Sequence, residues 1–397
     1  MKKTIFNIVT LILLLILTSC SAPSEEKPDS INKAPADEPL SKAEQVLQGM
    51  TLEEKIGQLF IIRPDSLDPN LTPEQISNST KYGVTELSDQ MIESLKQYHI
   101  GGIAIFQKNI LSPEQLTGFI DALQEQSEIP LFVGVDEEGG SVSRIANSTG
   151  FDVKKYESME AVGRTSDSKN AQDVGLTIGS YLKRYGFNLD FAPVADVNTN
   201  PENIVIGNRS FGSDPQLVAK MVSAEIEGFH EAGIMTCVKH FPGHGDTKGD
   251  THKGFVSTEK TWEELKQCEL IPFISAFKNT DMIMIAHITA PNITSDGLPS
   301  SLSHEMIEGK LRNELDYNGV VITDSMAMGA ITQEYTSDTA AVKAIAGGAD
   351  MILMPEQFEE AYNGIYDAVK NGTISEKRMD ESVLRILSLK EKYGLLE

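Results

Sequence analysis

Cysteine is scarce in this chain: three among 397 residues, at positions 20, 237 and 268. So few thiols exclude a disulfide-stapled scaffold and leave the fold to an apolar core. Basic residues are also in short supply, with 34 Lys and Arg against 58 Asp and Glu, a formal charge of −24. A surface of that sign repels polyanions, so nucleic acid is a poor partner and a neutral or weakly charged ligand suits the field better. Long apolar runs are missing too. The stretch from Ile8 to Leu17 is too short to span a membrane comfortably. With Lys2 and Lys3 before it and Leu17-Thr18-Ser19-Cys20 after it, it reads as a signal peptide over residues 1–19.

A cysteine directly after small residues at such a site resembles the bacterial lipobox. That resemblance implies cleavage before Cys20, lipidation of its thiol, and a chain anchored to the cell membrane on its extracytoplasmic side. Residues 20–42 are rich in Pro, Ser, Glu, Asp and Lys and cannot bury an apolar face, which predicts a disordered tether.

From residue 43 to 397, short apolar runs alternate with helical segments. The candidate strands are Gln58–Arg63, Ile100–Phe106, Leu131–Asp136, Leu189–Ala195, Met235–His240, Met282–His287, Val320–Asp324 and Met351–Met354. Helix-start signals lie between them, such as Ser112-Pro113-Glu114-Gln115, Asp214-Pro215 and Thr261-Trp262-Glu263-Glu264. Eight strand–helix units predict a parallel sheet closed into an α/β (β/α)8 TIM-type barrel, with a doubly wound sheet as the alternative. Barrels of this kind place chemistry at the C-terminal ends of their strands. Those ends are polar here: Asp136, Lys239-His240, His287 and Asp324-Ser325. Asp196, after the fourth strand, is open between bracing a loop and touching a ligand. If Lys239 points inward, Cys237 and Met235 do too, away from the helix carrying Cys268, so the two thiols are expected unpaired.

The densest chemistry is Lys239-His240-Phe241-Pro242-Gly243-His244-Gly245-Asp246-Thr247-Lys248-Gly249-Asp250-Thr251-His252. Its glycines and Pro242 argue for a mobile loop rather than a helix. On extended backbone, Asp250 and His252 project to one side, so the carboxylate can hold one ring nitrogen and present the other to a substrate. That describes an oriented acid/base histidine. A zinc site built on His240, His244 and His252 is the rival, disfavoured by the cation at Lys239.

Four stretches in register resemble glycoside hydrolase family 3, in its β-N-acetylglucosaminidase branch: Asp136-Glu137-Glu138-Gly139-Gly140 with Arg144, Asn208-Arg209-Ser210-Phe211-Gly212, Lys239 through His252, and Thr323-Asp324-Ser325-Met326. The resemblance implies that Asp324 is the nucleophile and that Asp250 and His252 form the acid/base pair. It implies that Asp136, Arg144, Arg209, Lys239 and His240 hold sugar hydroxyls. Ser141 and Glu137 depart from residues frequent in the family.

The mechanism implied is a retaining double displacement that needs no metal or cofactor. Its expected substrate is a β-linked N-acetylglucosamine at the end of a peptidoglycan fragment, with lipid-mediated membrane attachment and no nucleic-acid partner. Many family members carry a second, C-terminal domain that can deliver a glutamate. Here a helix from Glu376 to Tyr393 is expected to close a single catalytic domain, which favours the histidine as acid. A β-glucosidase or β-xylosidase, phosphate in place of water as acceptor, and a sugar-binding lipoprotein that has lost catalysis are the competing readings.

Overall fold

Strands buried on both faces read as continuous apolar runs, and all eight such runs are strands. The computed structural model describes residues 40–78 and 80–396; the signal peptide, most of the tether and Cys20 lie outside them. The strands are β1 (Phe60–Ile62), β2 (Gly102–Ile105), β3 (Phe132–Val135), β4 (Leu189–Asp190), β5 (Met235–Phe241), β6 (Met282–Ile285), β7 (Val320–Thr323) and β8 (Ile352–Leu353). Each neighbouring pair in the order β7-β6-β5-β4-β3-β2-β1-β8 is parallel. A parallel bridge between Ile322 and Met351, with the Thr323 N–H on the Met351 carbonyl at 3.1 Å, joins β7 back to β8. Closure makes this a (β/α)8 barrel and removes the doubly wound alternative.

Strand β4 is shorter than Leu189–Ala195. Pro193 has no N–H to give the ladder, and pairing resumes only at a bridge from Val194 to Lys239. The helices begin where their caps predicted. Ser112 accepts from the Gln115 N–H at 3.2 Å, Asp214 from Gln216 at 3.0 Å, and Thr261 forms a reciprocal box with Glu264.

The last helix, Glu376–Lys392, caps the N-terminal mouth of the barrel. Arg385 reaches Asp350 at 3.0 Å, a carboxylate also paired with Arg312 at 2.6 Å. Lys390 is fully buried there, donating to Gln58 Oε1 at 2.7 Å and lying 4.9 Å from the centre of the Phe132 ring. Burial pushes its ammonium down to about 7. Cys237 is buried on β5 and Cys268 half-buried where helix Trp262–Gln267 ends, and both are free thiols. Among the described residues, no helix is long and apolar enough to cross a membrane.

Candidate active site

The C-terminal mouth holds the polar residues. Directly after β3, Asp136 leads into a small hairpin that pairs Glu137–Gly139 with Val142–Ser143; Gly139 and Gly140 turn it at φ +85° and +74°, which other residues resist. Side chains alternate along it. Glu137 faces inward to structure, taking the N–H groups of Ile145 and Ala146 at 2.8 and 2.9 Å and the Tyr181 hydroxyl at 2.7 Å. Asp136 and Glu138 face the mouth, where Lys239 meets them at 2.8 and 2.6 Å.

Arg209 clamps Glu138 through two nitrogens at 2.7 and 2.8 Å, and Arg144 reaches Asp136 at 3.3 Å. Burial opposes every charge in this network, yet the pairing wins. Lys239 is held above its usual range by the two carboxylates, Asp136 well below its own by Lys239 and Arg144, and Glu138 down to about 2 by Arg209 and Lys239.

His240 stands on the same strand end. Its Nδ1 lies 2.7 Å from Asp196 Oδ2, so the ring proton there goes to the carboxylate, and Nε2 faces Arg209 at 3.4 Å. Asp196 also takes the backbone N–H groups of His240 at 3.2 Å and His244 at 2.6 Å. Asp196 is therefore a brace for the loop after β5.

Asp324 follows β7, with its own N–H on the Ile285 carbonyl at 2.9 Å and its Oδ1 accepting from the Ser325 N–H at 2.7 Å. Burial pushes this carboxyl up, but the fields of His240 and His287, the Ser325 N–H and the field of Lys239 hold it below the usual range. Beneath it, buried His287 bonds the Ser325 carbonyl oxygen at 2.9 Å and Ser301 Oγ at 2.7 Å, locking the turn that presents Asp324.

His252 Nδ1 lies 2.9 Å from Asp250 Oδ1, and the same oxygen accepts the His252 N–H at 3.0 Å. The expected partnership is present, but its backbone is a turn and not extended: the Lys253 N–H returns to the Asp250 carbonyl at 2.9 Å. Burial raises the Asp250 carboxyl slightly, and the His252 hydrogen bonds outweigh it and hold the group below its usual range. The His252 side chain is 68% exposed and leaves Nε2 free.

One cavity of about 410 Å³ gathers these groups. Asp136, Arg144, Arg209, Lys239, His240, His252 and Asp324 all line it, whereas Asp250 stands behind His252. Beneath it the barrel is filled, with Met235 and Cys237 fully buried. Sequence reasoning missed two charged lining residues. Glu138 was legible as the neighbour two along from Asp136, and Arg63 as the charged end of the first strand. Arg63 and Arg144 lie against the Phe106 ring at 4.9 and 5.4 Å from its centre. The loop imidazoles are engaged separately, His240 by Asp196, His244 by Thr247 and His252 by Asp250. Among the described residues, three carboxylate and imidazole groups converge within 4.8 Å of one another at Glu54, His99 and Glu128, which precede β1, β2 and β3 at the opposite mouth.

Comparison with known proteins agrees with this geometry. The chain is 32% identical over 342 residues to β-hexosaminidase A of Pseudoalteromonas piscicida, covering 80% of this chain and 57% of that one. It is 31% identical over 341 residues to a β-hexosaminidase of Mycobacterium tuberculosis, covering 82% and 85%. A glycoside hydrolase family 3 β-N-acetylglucosaminidase structure from Paenibacillus sp. str. FPU-7 superposes with a TM-score of 0.79 at 36% identity, over 87% of this chain and 63% of that one. The chain thus spans somewhat over half the length of some relatives. Residues 51–389 match the glycosyl hydrolase family 3 N terminal domain, and the chain belongs to that family.

Proposed function

We propose that this chain is a retaining, exo-acting β-N-acetylglucosaminidase that releases terminal β-linked N-acetylglucosamine from peptidoglycan fragments. The observation that carries the reading is that Asp324 and His252 open on one cavity, above a bed of paired hydrogen-bonding charges. The named activities of the relatives support it.

In the first half-reaction, the Asp324 carboxylate attacks C1 and the bond from C1 to the departing oxygen breaks. His252 Nε2 gives that oxygen its proton and becomes a neutral imidazole, and Asp250, on Nδ1, stabilises the imidazolium that exists before this step and is restored after the second. In the second, water attacks C1, gives its proton to Nε2, and the bond to Asp324 breaks. Retention by two carboxyl groups uses a separation of about 5–5.5 Å; here an imidazole takes one of the two places. Asp136, Arg209, Lys239 and His240 orient the ring, and water-poor surroundings make each of those hydrogen bonds count for more.

A panel of nitrophenyl glycosides tests the substrate: turnover of the N-acetylglucosaminide is expected, and turnover of the glucoside alone overturns the assignment. Trapping with a 2-fluoro sugar should label the peptide containing Asp324. We further propose that Cys20 is lipidated and anchors the enzyme to the membrane; lipid incorporation should vanish in Cys20→Ser, and a lipid-free wild-type chain refutes the anchor.

A further inference from the structure

The loop carrying His252 is tied to the nucleophile's own segment. Past Asp324 the chain turns through Met328 into a short helix, Gly329–Thr332. The Gly329 N–H donates to the His252 carbonyl at 3.3 Å and the Ala330 N–H to the Thr251 carbonyl at 3.0 Å. Gln333 Nε2 donates to the Lys253 carbonyl at 3.0 Å. Three successive loop carbonyls, 251 to 253, are thus held by one piece of chain. Thr251 is buried by the docking and lines the cavity, although His252 beside it stays exposed.

Position 329 has no room for a side chain. A Cβ there would meet the His252 carbonyl oxygen at 2.8 Å, Gln333 Nε2 at 3.1 Å and the Lys253 carbonyl carbon at 3.2 Å. Its φ is not positive, so closeness and not backbone conformation selects glycine. Water could satisfy the same carbonyls on an undocked loop, so the contacts matter for where they put the loop more than for net stability.

We propose that Gly329 and Gln333 are positioning residues: they seat the acid/base loop on the segment that also presents Asp324, so that the imidazole and the attacking carboxylate keep one distance. The inference rests on the catalytic roles proposed above. Proton transfer needs the ring within roughly 2.6–3.2 Å of the departing oxygen, and a misplacement of about 1 Å is enough to cost on the order of 10²-fold.

The test compares Gly329→Ala and Gln333→Leu, the second an exposed change that keeps the fold, on a phenyl and a 2,4-dinitrophenyl N-acetylglucosaminide. A phenolate leaving group needs the proton; dinitrophenolate hardly does. The loss on the phenyl substrate should exceed that on the dinitrophenyl one by about tenfold or more. Equal losses, or none, overturn the proposal. Hydrogen exchange across residues 249–257 supplies a readout that needs no substrate: it should quicken in both variants, and unchanged exchange overturns the docking itself. Quickened exchange in both variants of a chain whose wild type hydrolyses no N-acetylglucosaminide would instead strike the proposed activity and leave the docking standing.

Discussion

The cavity has two halves built on opposite principles. Its floor is a closed circuit of buried charges, in which Lys239 sits between Asp136 and Glu138 and Arg209 grips Glu138 with two nitrogens. Its lip is a single exposed dyad, His252 on Asp250, carried by a glycine-rich turn. Desolvated pairs are stiff, and that suits holding a ring still; the same stiffness would hinder a group that must give a proton in one step and take one in the next. On the proposed roles, binding falls to the buried charges and proton transfer to the exposed imidazole.

Asp324 belongs to the floor by packing and to the chemistry by position, so Asp324→Asn should have the largest effect. A fall in kcat on the order of 10⁴–10⁶ is expected with the fold intact, as removal of an attacking group does elsewhere. Retained activity would dissolve the distinction between the halves. His252→Ala should lose about 10²–10⁴ in kcat on poor leaving groups with little change in melting temperature. A large loss of stability there would show that the lip is structural after all.

Glu138→Gln reverses that pattern. It leaves Arg209 and Lys239 undercompensated in a buried place, and unfolding free energy should drop by about 3 kcal/mol, whereas Asp250→Asn on the exposed turn should change it by about 0.5 kcal/mol or less. Chemical denaturation of the two variants side by side is the measurement.

Acid should tell the halves apart as well. Asp136 and Glu138 have folded-state values below their unfolded ones, so the folded state binds fewer protons as pH falls past the ordinary carboxylate range. Their stabilisation is full above about pH 4–5 and is lost as pH drops toward about 2. The melting temperature should therefore hold through weak acid and then fall, with a shallower fall in Glu138→Gln.

An effect smaller than that of Glu138→Gln, and of opposite sign, is expected at the other mouth. Lys390 is lowered to about 7, so its burial costs stability fully below that pH, and the cost fades as pH rises toward the unfolded value near 10.5. Lys390→Met should stabilise by about 1–2 kcal/mol at pH 6 and by less at pH 9, the lost bond to Gln58 offsetting part of the gain. A gain that grows with pH would contradict the sign.

Much of this was legible in the residues. The eight strands announced themselves because parallel strands are apolar on both faces, and their polar ends marked the mouth. The Asp250–His252 contact was legible because two residues apart is within reach in a turn as in a strand, although the backbone differed from the expectation. What spacing could not show was long-range pairing. That Glu138 meets Arg209 and Lys239, far along the chain, depends on which strand ends the closed barrel sets side by side. The role of Asp196 was undecided in the sequence for the same reason: only the folded chain brings the His240 and His244 amides onto it.

The pit into which all this chemistry points ends on packed side chains, with Met235 and Cys237 beneath it. On the exo-acting reading proposed above, a polymer enters such a pit by its tip. On the proposed activity, output counts free tips and not linkages. Any scissor that cuts polymers in mid-strand upstream then multiplies the work available here, and a long intact strand occupies the enzyme no better than a short stub.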